Sequence, residues 1–171
     1  MNRGIAHRVA LSGVLTALMM VLGLLERQFP LPVAIPGIKL GLANSILLYS
    51  VYMLGGRQSC VLMLLKTLMS GFIYNNLQAV TYSFCGGALS LAAMLLLYNV
   101  PGNSEVGVSI AGAAFFNVGQ ILAAAVQLHT PQLLFSYLPV LLVSGVLTGM
   151  LTGIIARQVM RNTHAMSSQM R

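Results

Sequence analysis

From Val9 to Leu25 the chain offers no ionisable side chain, and further long apolar stretches follow it to Ala156 with few interruptions. Crossing a hydrocarbon core takes roughly 17–25 apolar residues in helical form, because nothing inside lipid satisfies a bare backbone. Runs of this kind leave little choice: the chain folds as helices that span a membrane. The rest of the composition agrees. Only 6% of the 171 residues are charged, against about 25% in soluble domains, so a water-facing surface could not be covered. The two acids are Glu26 and Glu105, and there is no Asp.

The breaks between runs give an order of elements. A first helix covers Val9 to Leu25; without a small-x-small cleavage pattern after it, it reads as retained rather than as a signal peptide. Glu26 to Pro36, with Pro30, Pro32 and Pro36, reads as a surface loop. The second helix is expected from Gly37, with Pro36 in its first turn, to Leu54, and Gly55-Gly56-Arg57 forms a tight turn. Further helices are expected over Gln58 to Tyr74, Leu77 to Tyr98, Val106 to Leu128 and Leu133 to Ala156, with turns at Asn75-Asn76, Asn99 to Glu105 and His129 to Pro131. The expectation is an all-α, polytopic bundle of about six transmembrane helices, a single domain over 1–171. Residues 157–171 are expected to form a flexible cytoplasmic tail.

Six spans place both termini on one side. If that side is cytoplasmic, Arg3, Arg8, Arg57, Arg157, Arg161 and Arg171 lie inside, against Arg27 and Lys39 outside, as the positive-inside rule favours. The same placement argues against nucleic acid as the partner of the formal +7 charge. Cys60 and Cys85 sit in apolar runs without metal-ligand spacing and read as small packing residues. No metal or cofactor is expected.

Lys66 is the most informative residue. A charge near mid-bilayer costs at least ~2.5 kcal/mol on insertion scales, so Lys66 should face the bundle interior. There it must find backbone carbonyls, snorkel, lose its proton, or meet an anion carried by a ligand. Asn44, Asn75, Asn117 and Gln120 are amides that should also turn inward, and Asn117 and Gln120, three apart, fall on one side of their helix. Each could serve interhelical hydrogen bonding; converging on Lys66, they would line a polar pocket reached past Lys39. Ala6, Ala10, Gly13 and Ala17 form a small-residue stripe that permits close helix contact, either within the bundle or with another membrane subunit.

The segments "IPGIKLGLAN" (Ile35 to Asn44), "YSFCGGALSLAAM" (Tyr82 to Met94), "FNVGQILAAA" (Phe116 to Ala125) and "YLPVLLVSGVLTGMLTG" (Tyr137 to Gly153) resemble the bacterial membrane family catalogued as heptaprenyl diphosphate synthase component I, also called the Gx transporter family. That family is similar to the substrate-binding S components of energy-coupling-factor transporters. The resemblance implies a six-helix protein of the bacterial plasma membrane whose first-helix stripe, here Ala6, Ala10, Gly13 and Ala17, docks a transmembrane coupling subunit. In S components the loop after the first helix helps to close the site on the outer side, a position that Pro30 to Lys39 would occupy. Members often carry a His before the N-x-GQ motif, where this chain has Phe116.

The enzymatic family name conflicts with the residues. Joining isoprenyl diphosphates takes Mg²⁺ held by clustered carboxylates, and two distant Glu cannot build that site. Nor is there a GxxxxGK[ST] loop for ATP hydrolysis, so transport would need separate ATPases. The expected function is a small-molecule-binding transporter subunit, not an enzyme, for a small and anionic ligand. The alternative is a non-catalytic membrane subunit of isoprenoid, quinone or redox metabolism. The topology is testable with single cysteines at Val33 and Ser168 in a chain lacking Cys60 and Cys85. An impermeant thiol reagent applied to intact cells is expected to label Val33 and spare Ser168; the reverse pattern inverts the orientation.

Overall fold

In the computed structural model the chain is described over residues 3–28, 41–74, 77–130 and 132–169. These form six helices, α1 (Arg3–Gln28), α2 (Leu42–Met53), α3 (Gly56–Tyr74), α4 (Leu77–Tyr98), α5 (Glu105–Gln127) and α6 (Gln132–Gln169), with no strand among the described residues. The all-α bundle expected from sequence is the fold. By length and apolarity α1, α4, α5 and α6 each carry a segment able to cross a membrane unaided. α3 is long enough but is diluted by Arg57, Gln58 and Lys66. It still turns Val61, Leu65, Leu68, Phe72 and Ile73 outward, a surface of the kind that meets lipid or another protein.

Several boundaries differ from expectation. α1 runs from Arg3 to Gln28, beyond the apolar run Val9 to Leu25 at both ends, and α3 starts at Gly56 within the expected turn. α2 begins at Leu42, not Gly37, because Gly41 adopts φ 71°, a left-handed conformation that a helix interior excludes and glycine tolerates. The earlier part of that segment, Lys39 included, lies outside the described residues. α6 does not end at Ala156 in a frayed tail but stays helical through Gln169. Beyond Gly153 the chain has no Gly or Pro to stop it, and Ala156 and Met160 are buried against the core. Pro139 lies within α6 and removes one backbone donor there.

α2 is the hub. Its 12 residues reach only about 18 Å against a core of about 30 Å, yet it touches all five other helices. Around it α1 neighbours α3, then α4, α5 and α6 follow in order; among the described residues α6 and α1 do not meet directly, and α2 lies between them. Leu47, Leu48 and Val51 of α2 pack with Leu15, Met19, Leu62, Leu91, Met94, Val108, Ala156 and Met160 in one apolar core.

The most extensive packing is between α5 and α6. Gly145, Gly149 and Gly153, four apart, lie against Ala114, Ile110 and Val106; a Cβ on Gly149 would stand 2.7 Å from the Ile110 Cα. Ser109 and Thr152 exchange a buried hydrogen bond at 3.2 Å across the same seam. α4 meets α5 in a similar way: a Cβ on Gly86 would sit 2.9 Å from the Phe116 carbonyl oxygen. Lipid supplies no hydrophobic drive between helices, so association depends on this backbone proximity.

Gly149→Val is therefore expected to lower stability by about 1–3 kcal/mol, the usual cost of overpacking. Gly23→Ala, at a position with nothing within 4 Å of a new Cβ, should leave the melting temperature unchanged or raise it. Thermal unfolding in detergent separates the two, and equal melting temperatures would overturn the seam.

Candidate functional site

The helix registers decide what shares a depth. The Ser50–Ser59 hydrogen bond aligns α2 with α3, the Gly87–Met63 and Gly71–Val80 contacts align α3 with α4, and Gly86 and Gly119 align α4 with α5. Asn117, donating to the Leu141 carbonyl at 2.6 Å, aligns α5 with α6. Traced across the bundle, these registers bring Asn44, Lys66, Gly86, Phe116, Asn117 and Leu141 to about one level. Call the end that carries both termini basal and the other distal. The described part of α2 fills the basal side of this level, where the apolar core lies; distally, Ile121 and Ala125 are buried outside that core.

Lys66 is half-buried, and its Nζ stands 5.6 Å from the centroid of the Phe116 ring, within cation–π range. Gly86 and Gly87 explain how a side chain of α3 reaches a ring on α5 with α4 alongside. Lacking side chains, they let Met63 press on one side of α4 and Phe116 and Gln120 on the other. Phe116, which precedes the N-x-GQ motif, is thus the residue that faces the lysine. An aromatic face attracts an ammonium.

Asn44 is 5% exposed, in the first turn of α2 beside Gly41. The N–H of Gly41 is donated to the Glu26 carboxylate, which ties the end of α1 to the start of α2 and places a negative charge at a helix N-terminus, where it is favourable. Glu26 therefore sits at the distal end. Glu105 opens α5 at the basal end, 3.7 Å from Arg157, an exposed pair of the kind worth about 0–1 kcal/mol.

Asn117 and Gln120 do not share a neighbour. Asn117 turns to α6, meeting Leu141 and Gly145, while the Gln120 side chain lies against Gly86 of α4. A spacing of three leaves about 60° between side chains, enough to straddle two seams. So Asn117 has an interhelical role, Gln120 lies beside Phe116, and Lys66 meets that ring. Lys39 and Asn75 lie outside the described residues. Ala6, Ala10, Gly13 and Ala17 are all exposed on the side of α1 away from the core, whereas Leu15 and Met19 face inward.

Two groups carried little signal in the sequence. Phe116 stood out only by its place before the N-x-GQ motif, and nothing in the sequence paired it with Lys66. Ser90, one turn along α4 from Gly86, is fully buried, and its hydroxyl has no hydrogen-bond partner among the described residues. Such an orphan costs about 1–3 kcal/mol. Only its polarity inside an apolar run hinted at it.

This architecture defines a multi-pass α-helical membrane protein. The family model described as heptaprenyl diphosphate synthase component I matches residues 15–159, and the chain belongs to that family. No curated protein and no solved structure matches the chain.

Proposed function

We propose that this chain is the small-molecule-binding membrane subunit of a transporter, similar to an S component, energised by a separate ATPase module and not itself a catalyst. The observation that carries the reading is the shared depth of Lys66, Asn44, Phe116 and Gln120, at the level where α2 begins and the apolar core gives way. A cation, an aromatic face and two amides at that level suit a small ligand bearing a carboxylate or phosphate. The opposite placement of Glu26 and Glu105 supports a non-enzymatic role, since Mg²⁺-dependent diphosphate chemistry needs its carboxylates together. The plasma membrane, with both termini cytoplasmic, is the setting that the arginine distribution favours.

The family's printed name favours a second reading, a non-catalytic membrane subunit associated with isoprenoid, quinone or redox metabolism. The ligand separates the two: a polar anion belongs to the first reading and a long apolar chain to the second.

Native mass spectrometry of the detergent-purified protein tests the site. The wild type should retain a small anionic molecule. Lys66→Met, which keeps most of the volume, should melt no lower and retain that molecule about tenfold or more less, the scale of a charge-assisted hydrogen bond. A variant that melts lower and still retains the ligand would make Lys66 a structural residue and sink the reading.

The exposed stripe of α1 is the proposed docking face for a coupling subunit. Ala10→Leu or Ala17→Leu should leave the melting temperature within a few degrees of wild type, because each side chain projects away from the core. Either should abolish co-purification with membrane partners, since close helix contact tolerates no added volume. Normal recovery of partners with both variants would remove the stripe from the mechanism.

A further inference from the structure

α6 carries two faces of opposite character along its length. Gly145, Gly149, Gly153, Ala156 and Met160 turn inward. Val143, Leu147, Met150 and Ile154, spaced four, three and four, turn outward and are 50–64% exposed. Continuing that outward stripe by three and then four residues gives Arg157 and Arg161, both exposed. The helix does not end between them: Met160, 5% exposed, holds this turn against the core. The two arginines are therefore held one turn apart on the helix, Arg157 about 5 Å along the axis from the last apolar residue of the stripe.

We infer that this stripe and its two arginines form a binding site for an anionic phospholipid. The acyl chains would lie along Val143, Leu147, Met150 and Ile154, and the headgroup phosphate would be held between Arg157 and Arg161. Arginine suits that task because its planar donors match phosphate oxygens. Charge complementarity selects the occupant. The carboxylate near Arg157 is that of Glu105 at 3.7 Å, and Arg57 is exposed at the start of α3 at the same basal end. The surroundings stay positive, and a lipid with net negative charge gains where a zwitterionic one, carrying its own cation, does not. An acidic protein segment would need the same charges but makes no use of the apolar stripe that leads to them.

The test uses delipidated protein in detergent, titrated with phosphatidylglycerol or phosphatidylcholine of the same chain length. Bound lipid is counted by native mass spectrometry and melting temperature is followed in parallel. The wild type should prefer phosphatidylglycerol. That preference should fall about fivefold in Arg161→Gln and about thirtyfold in the Arg157→Gln/Arg161→Gln pair, at the usual contribution of a basic residue near anionic headgroups. Arg161→Gln leaves the Glu105 pair intact, so it reports on the site even if the double variant folds poorly. Arg57→Gln should keep the preference. Equal binding of the two lipids by wild type would overturn the inference, as would an unchanged preference in Arg161→Gln. So would a loss in Arg57→Gln as large as in Arg161→Gln, which would make the effect one of diffuse charge.

Discussion

Inside a bilayer, helices gain nothing from hiding apolar side chains, since lipid tails are equally apolar; they gain from bringing backbones close. The remaining features of this bundle follow from where its sequence permits that. Three glycines on α6 admit α5, Gly86 of α4 and Gly119 of α5 bring those two helices together, and a Ser–Thr hydrogen bond pins the first of these seams. α1 and α3 have no comparable seam of consecutive glycines and are held chiefly by larger side chains around α2. The short central helix can be buried on all sides because its own residues, among them Ala43, Ser45 and Ser50, are small enough to be surrounded.

The same constraint sets how much could be read beforehand. α4 was legible to both ends, because Asn75-Asn76 and the Asn99 to Glu105 segment interrupt hydrophobicity sharply. The start of α2 was not, since a glycine within an apolar run does not announce the sign of its φ, and Gly41 breaks the helix by that alone. The end of α6 was misjudged because its arginines resemble a solvated tail, while the residue that prolongs the helix, Met160, does so through a contact invisible to periodicity. Small-residue stripes were the hardest case. Ala6 to Ala17 and Gly145 to Gly153 have nearly the same spacing, yet the first points outward and the second lines the seam between α6 and α5. Spacing fixes a face; only the neighbours decide which way it turns.

For the site, residue type was legible and partnership was not. Lys66 stood out by its cost, and its level in the bundle agrees with that of Asn44. That its ammonium lies near an aromatic ring could not be foreseen, because reaching the ring depends on two glycines of an intervening helix. Asn117 and Gln120 lie about 60° apart around their helix, an offset that turns one toward α6 and the other toward Gly86 of α4. Such offsets matter because amides in lipid take whichever acceptor is nearest, and for Asn117 that is the Leu141 carbonyl.

The uneven distribution of close contacts also makes the bundle mechanically two-part. α4, α5 and α6 form a stiff slab in which sliding by even one residue would drive a Cβ or carbonyl into facing backbone. α3 borders that slab along a single seam, and its contacts there are flexible ends, Leu95 and Met63, and the branched Val80. Side chains of that kind yield by changing rotamer, whereas backbone does not. A tilt of α3 against α4 therefore meets side chains where a tilt of α5 or α6 would meet backbone, and such a tilt would carry Lys66 toward or away from a ring that stays on the slab, changing the distance between charge and aromatic face.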